Sequence, residues 1–113
     1  MKHKYGYFDK KQIDEYKKKL HNKMFWLLLY RDPKTINKYP EMNDENLKKY
    51  FDFLMKEIDG FNEILFYPKE IVEILSLLTS AKNELFEEEF NYQNYRKLIL
   101  DAHHLIDEIK EAD

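Results

Sequence analysis

Glycine and proline, the residues that mark most turns, are almost absent from this chain. Only 2 Gly and 3 Pro occur among its 113 residues, whereas an all-β sandwich or barrel needs a turn about every 8–12 positions. Apolar residues instead recur every three or four positions over long stretches, which is the period of an amphipathic helix. The sequence therefore predicts an all-α fold. The length is that of one domain, so we expect a single domain.

The ends of the helices are predicted from capping chemistry. Asp9 and Gln12 have the spacing of a capping box, while Asn43 and Asn91 each stand between apolar residues at the spacing of a hydrophobic staple. Prolines following Asp32 and Tyr67 interrupt the chain between helices. We expect helices at about residues 9–31, 44–66, 68–87 and 92–111, in a mostly antiparallel four-helix bundle.

The same spacing predicts the core. The residues expected to be buried are Leu54, Ile58, Phe61, Leu78, Leu98, Ala102 and Leu105. The apolar rhythm of the second helix continues through Gly60, although glycine costs roughly 1 kcal/mol relative to alanine inside a helix. We therefore expect a close contact between helices at Gly60.

Composition excludes several classes of function. The chain has no cysteine, which excludes disulfides, a thiolate nucleophile and cysteine-based metal sites. With Gly6 and Gly60 as its two glycines, it has no phosphate-binding glycine loop. The first residues contain no apolar stretch typical of a secretory signal, and the longest apolar run, Met24–Tyr30, is too short to span a bilayer. We expect a cytoplasmic protein with no membrane contact and no cofactor.

The charges are unevenly distributed along the chain. The first 40 residues contain eleven basic and four acidic residues, and the remainder contains eight basic and eighteen acidic ones. This asymmetry is compatible with an anionic partner or with packing of the first helix against acidic helices of its own chain, and we expect the second. A nucleic-acid binder is normally basic overall, but the net charge is −3. We therefore do not expect nucleic acid as a partner.

The second half of the first helix is apolar on all sides. Met24 and Leu27 continue its core stripe, while Phe25, Trp26 and Leu29 point the opposite way. Aromatic side chains are enriched at the centres of protein interfaces. The segment is therefore either covered by residues 33–42 or by the N-terminal residues, or it binds a protein partner or a second copy. The candidate binding residues are Phe25, Trp26, Leu29 and Tyr30.

The fourth helix contains the other candidate site. Arg96, His103 and Asp107 fall on one face of the helix, about opposite its core stripe. An arginine can hold a phosphate, a histidine can act as acid or base, and an aspartate can orient the histidine. Alternatively, these residues form a solvated flank with an Asp–His pair.

In this segment the chain resembles the HEPN family, which comprises all-helical RNA-cleaving and nucleotide-binding domains of similar size. The family signature is an Arg followed, after four to six residues, by a His near the end of the bundle, and six residues separate Arg96 from His103. The resemblance implies RNA cleavage or nucleotide binding at Arg96 and His103. Lys97 stands where the family usually has a polar residue, and Asp101 stands where its commoner short spacing would place the histidine.

The histidines and acidic residues of the fourth helix also bear on metal binding. Asp101 and His104 have the spacing of a di-iron ligand pair, but they face outward and have no second copy, so we predict no metal site.

Two functions remain, and the abundance of residues with AT-rich codons suggests a low-GC bacterium, its phage or its plasmid as the source. The first is a non-catalytic interaction protein, such as an adaptor, an inhibitor or an immunity-type protein, and we favour it over an enzyme. The second is the HEPN-like domain.

Overall fold

The computed structural model describes residues 2–3, 6–7, 10–64 and 69–109. Within them it confirms the expected all-α four-helix bundle. The helices are α1 (Lys10–Leu29), α2 (Asp44–Ile64), α3 (Lys69–Glu84) and α4 (Tyr92–Asp107), with a short 3-10 turn at Ile36–Lys38. Two strands of two residues each, β1 (Lys2–His3) and β2 (Gly6–Tyr7), pair antiparallel before α1. No helix in the described part of the chain is long and apolar enough to cross a membrane.

Helix α4 packs against both α1 and α3, and α2 packs against α3. Helices α1 and α4 are antiparallel, as two hydrogen bonds near opposite ends of the pair show. Lys17, early in α1, donates to the carbonyl of Ile109 just after α4 (3.1 Å), and Tyr95, early in α4, donates its hydroxyl to the carbonyl of Leu27 (2.8 Å). The first and last helices of the chain are therefore direct neighbours.

Basic residues of α1 and the residues after it form ion pairs with acidic residues of α2. Lys23 contacts the Glu57 carboxylate at 2.7 Å, and Arg31 contacts Asp44 at 2.8 Å. These contacts agree with the expectation that the basic first third packs against acidic helices of its own chain. Part of the charge asymmetry is thus neutralised within the molecule.

Both predicted asparagine caps are confirmed. The Asn43 side chain accepts a hydrogen bond from the amide three residues later (2.8 Å), and Asn91 accepts from the amides two and three residues later (2.9 and 3.2 Å). The staple around the second cap is present, because the Phe90 and Tyr95 rings have centroids 5.6 Å apart. The predicted cap at Asp9 lies outside the described residues.

Three helices end earlier than the spacing predicted. Helix α1 ends at Leu29, α3 at Glu84 and α4 at Asp107 rather than at residues 31, 87 and 111. At the end of α4, the amide of Glu108 bonds to the carbonyl of Leu105 (3.0 Å), which closes the helix with a tighter 3-10 turn. Ile109 is buried just beyond this end, so its apolar character reflects core packing and not helix. The predicted ends at residues 66 and 68 lie outside the described residues.

The core is largely as predicted, with a correction in α4. Leu54, Ile58, Phe61, Leu78 and Ala102 are buried, as expected.

Leu98 and Leu105, by contrast, are only half-buried, and the prediction that they belong to the core was wrong. The buried positions are Ile99 and Ile106. Helix α4 packs against both α1 and α3. The row of α4 that contains Ile99 and Ile106 lies between these two contacts and is therefore buried. Leu105 is turned toward α3, where it borders a surface depression with Glu70.

The prediction of a close helix contact at Gly60 was also wrong. Gly60 is exposed, and a Cβ atom built there would meet nothing within 4 Å. The apolar rhythm of α2 passes Gly60 because this residue lies on the solvent side of the helix. Nothing in the packing of the described residues requires a glycine.

Substituting Gly60→Ala should therefore stabilise the protein. We expect the free energy of unfolding to rise by about 0.5–1 kcal/mol, because alanine loses less backbone entropy in a helix and meets no steric obstacle here. Urea denaturation of the two proteins measures the difference. A decrease in stability would show that the glycine has a packing role.

Candidate functional sites

The first candidate site is the outward face of α1. Phe25 is 54% exposed and Trp26 is 40% exposed, whereas Leu29 and Tyr30 are half-buried. Met24 and Leu27, on the opposite face, are fully buried. We call Phe25, Trp26, Leu29 and Tyr30 the α1 surface.

The segment after α1 covers part of this surface. The Trp26 ring stacks on Tyr30 with centroids 5.7 Å apart, and Tyr39 meets Trp26 edge-on at 5.7 Å. Tyr39 and Tyr50 also contact the Tyr30 ring, with centroids at 5.3 and 5.9 Å. Tyr39 of this segment and Tyr50 of α2 thus account for the burial of the Tyr30 ring, and Tyr39 also covers one edge of Trp26. Phe25 has no ring contact with another described residue.

A buried arginine holds this covering segment in place. Arg31 is 8% exposed and donates hydrogen bonds to the carbonyls of Tyr30 (2.7 Å) and Met42 (2.8 Å) and to the Asp44 carboxylate (2.8 Å). It therefore ties the beginning of the segment that contains Tyr39 to its end. Sequence reasoning did not single out Arg31, and the only available signal was a basic residue directly before the Asp32-Pro33 break.

Next to the α1 surface, the end of the bundle contains a cleft of about 840 Å³ between residues 33–42 and the turn joining α3 to α4. Its apolar lining includes Ile36, Tyr39, Met42, Leu85 and Phe90. Tyr39 contributes both to this cleft and to the contact with Trp26. Apolar side chains, of which Ile36 and Phe90 are each 37% exposed, therefore extend from α1 across the segment.

The second candidate site lies where α4 meets α1. His103 and Asp107 are brought together, as the spacing predicted, but they are connected through His21 of α1. The Nδ1 atom of His21 is 2.8 Å from Nε2 of His103, and its Nε2 atom is 2.9 Å from the Asp107 carboxylate. Sequence reasoning missed His21 because it precedes His103 by 82 residues, and only the packing of α1 on α4 reveals the contact.

Arg96 does not take part in this group. Seven residues of helix place it about 10 Å from His103 along the axis of α4. It borders a shallow depression with Asp32, Lys34 and Tyr92, near the other end of the bundle. The three residues of the predicted Arg–His–Asp site therefore share one side of α4, but only two of them belong to the hydrogen-bonded group.

When both rings are neutral, the hydrogen bonds assign the ring protons. The bond from His21 lowers the pKa of the Asp107 carboxyl, so Asp107 is ionised and accepts near neutral pH. Nε2 of His21 therefore donates, and Nδ1 of the same ring is an acceptor when the ring is neutral. In that state, Nε2 of His103 is the donor between the two rings. Burial, together with the neighbouring His21 and His104, lowers the pKa of His103, which favours its neutral form.

The lowered pKa of His103 makes stability depend on pH. Because the unfolded chain takes up this proton more readily, stability is fully present above about pH 6.5, the ordinary pKa of histidine, and is lost as the pH falls through the folded-state value. We expect the melting temperature to fall between pH 7.5 and 5.5. In a His103→Gln variant that fall should be smaller. An equal fall in both proteins would contradict the lowered pKa.

The described residues contain no group of three or more His, Asp or Glu side chains arranged to hold a metal ion. Asp101 and His104, the pair with metal-ligand spacing, are both exposed. His104 contacts the His103 ring with centroids 6.2 Å apart.

Comparison with known proteins adds no assignment to these two sites. No family model matches the chain. No curated protein matches it, and no solved structure matches it either.

Proposed function

We propose that this protein is a small non-catalytic interaction module that binds a protein partner, or a second copy of itself, through the α1 surface. The observation that carries the proposal is the exposure of Phe25 and Trp26 beside each other on a helix whose opposite face is fully buried. Large exposed aromatic residues on a well-packed scaffold are typical of the energetic centres of interfaces. An adaptor, inhibitor or immunity-type protein of a low-GC bacterium or its mobile elements would use such a surface.

Preorganisation supports this proposal. Arg31 and the ring contacts of Tyr30 and Tyr39 hold Trp26 in one orientation. A side chain that is already ordered loses less entropy when a partner binds. The α1 surface therefore has the rigidity of a binding site as well as the composition of one.

Charge favours a second copy among the alternative partners. Glu87, Glu88 and Glu89 are exposed in the turn after α3, and none of them forms an ion pair with another described residue. Lys34 and Arg96, at the same end of the bundle, are also exposed and have no ion pair within that part of the chain. A symmetric dimer can place the acidic turn of each copy against the basic residues of the other.

Site-specific photo-crosslinking in cells tests the proposal. A photoreactive phenylalanine analogue is placed at Phe25, and a matched control carries it at Phe53, which is 71% exposed on α2 and outside the α1 surface. We expect a discrete crosslinked product from position 25 and none from position 53. A product of twice the chain mass of 14.0 kDa identifies a second copy, and another mass identifies a different partner.

The crosslinking result can also contradict the proposal. The same products from both positions would show that the α1 surface has no specific role. No product from position 25, in cells that contain the folded protein, would have the same meaning.

An RNA-cleaving, HEPN-like domain is the second candidate function. The observation that favours it is His103, whose lowered pKa and hydrogen bond to His21 are suited to a general base. Against it, Arg96 lies about two turns of helix away from this group, and no family model supports the resemblance.

We expect the purified protein to leave single-stranded RNA intact, because Arg96, the residue expected to hold a phosphate, lies about 10 Å from His103 along the axis of α4. Incubation with labelled RNA, followed by electrophoresis, measures this. Reproducible cleavage that disappears with His103→Ala and persists with His104→Ala would reverse the order of the two functions.

A further inference from the structure

We propose that His21 and His103 form a binding site for a divalent transition-metal ion of the zinc class. The two rings project toward each other from neighbouring antiparallel helices, with 2.8 Å between Nδ1 of His21 and Nε2 of His103 and 3.9 Å between ring centroids. Neutral imidazole is a common protein ligand for Zn²⁺, Ni²⁺ and Cu²⁺. His21 lies one turn of α1 before Phe25, but neither ligand belongs to the α1 surface, so the inference does not rest on the proposed function.

The separation of the two nitrogens is close to what one ion requires. Imidazole nitrogens bind Zn²⁺ at about 2.0–2.1 Å in tetrahedral geometry, which places two of them about 3.3 Å apart. The two nitrogens therefore have to separate by about 0.5 Å from their hydrogen-bonded distance, and the rings, whose centroids are 3.9 Å apart, have to turn until both lone pairs face the ion. Both ligands belong to helices that are packed against each other, so they need no rearrangement of the backbone to meet the ion.

Asp107 is the carboxylate that would orient His21 as a metal ligand. Metal-bound histidines usually donate their other ring N–H to a carboxylate or a carbonyl, and Nε2 of His21 donates to Asp107. This bond selects the His21 tautomer in which Nδ1, the ring nitrogen nearest His103, has a free lone pair. The Asp107 side chain is 71% exposed and that of His21 is 19% exposed, so an ion can enter from solvent.

Metal binding needs no oxidant or reductant, and the neutral histidine pair loses no proton when the ion binds. In the free protein, Nε2 of His103 carries the proton that it donates to His21. When the ion binds, His103 changes tautomer, so that Nδ1 carries the proton and the Nε2 lone pair binds the ion. Two protein ligands leave the remaining coordination positions to water. At acidic pH, protons compete for the same nitrogens, so metal affinity falls as the pH is lowered.

Calorimetric titration of the full chain without a histidine tag, using Zn²⁺ alone, tests the site. We expect binding of one ion, at least tenfold weaker binding in His21→Ala and His103→Ala, and roughly 10–100-fold weaker binding in Asp107→Asn. His104→Ala is the matched control, because His104 is exposed on the same helix, and it should bind as the wild type does. Circular dichroism establishes that each variant is folded.

Histidine NMR distinguishes this site from binding elsewhere. Long-range ¹H–¹⁵N spectra should show the His103 proton on Nε2 in the free protein and on Nδ1 after zinc is added. Equal zinc binding by the wild type and the His21 and His103 variants would overturn the proposal. Absence of binding by the wild type at millimolar zinc, or an unchanged His103 tautomer, would overturn it as well.

Discussion

Substituting Ile106→Ala should lower the free energy of unfolding by about 2–5 kcal/mol, the range for removing a large aliphatic side chain from a packed core. Ile106 is fully buried in α4, in the row that includes Tyr95, Ile99 and Ala102. The helices on both sides of α4 leave little room for collapse around the deleted atoms. Chemical denaturation of the wild type and the variant measures the difference.

The neighbouring residue provides the control for this experiment. Leu105 is only half-buried, so Leu105→Ala removes a similar number of carbon atoms from a partly solvated position. We expect a distinctly smaller loss than for Ile106→Ala. If the larger loss occurs at Leu105, the core of α4 follows the row first predicted from the sequence, and the assignment of Ile99 and Ile106 to the core is wrong.

Substituting Trp26→Ala should weaken association of the protein, with its partner or with itself, by at least about 2 kcal/mol, or roughly 30-fold in the dissociation constant. Trp26 is the only tryptophan of the chain and the larger of the two exposed aromatics on the α1 surface. Its ring is already held by Tyr30 and Tyr39, so truncation removes an ordered contact. Sedimentation velocity measures self-association, and calorimetry measures binding to a partner identified by crosslinking.

Phe53→Ala is again the matched control, because it removes an exposed aromatic residue outside the α1 surface. We expect it to change the dissociation constant less than threefold. Trp26 fluorescence supplies an independent measure, since iodide should quench it less in the complex than in the free protein. An association that survives Trp26→Ala unchanged would place the interface elsewhere on the molecule.

Local features of the fold were predictable from the sequence because they depend on neighbouring residues. Asn43 and Asn91 cap their helices because their side chains accept hydrogen bonds from backbone amides two or three positions later. The stripe of α2 from Leu54 to Phe61 needs only the helical period to be recognised. Interactions between residues within about one turn of helix can therefore be predicted from their spacing in the sequence.

The positions that were mispredicted depend on how helices are arranged around each other. In α4, Leu98 and Leu105 alternate with Ile99 and Ile106, so two apolar rows compete and the sequence alone favours neither. Only the packing of α1 on one side and α3 on the other selects the isoleucines. The prediction for Gly60 was wrong for a related reason. The apolar period of α2 does not show which side of the helix a neighbouring helix leaves uncovered.

The candidate site in α4 could be predicted only where its residues lie on the same helix. His103 and Asp107 lie four positions apart on one helix, so their proximity follows from helical geometry. His21 comes from another helix, and it makes both of the hydrogen bonds that organise the group. Arg96 lies on the same face of α4 as His103 but too far from it along the helix axis. A helical wheel shows the face and not this axial separation.

The pairing of α1 with α4 has a consequence for the order in which the bundle assembles. The bond between Lys17 and Ile109 joins residues 92 positions apart, whereas Glu84 and Asn91, which link α3 to α4, are 7 apart. Closing the longer loop costs about 2 kcal/mol more in chain entropy. The hairpin of α3 and α4 should therefore form before α1 meets α4, and the amide protons of α1 should exchange with deuterium sooner than those of α3 and α4.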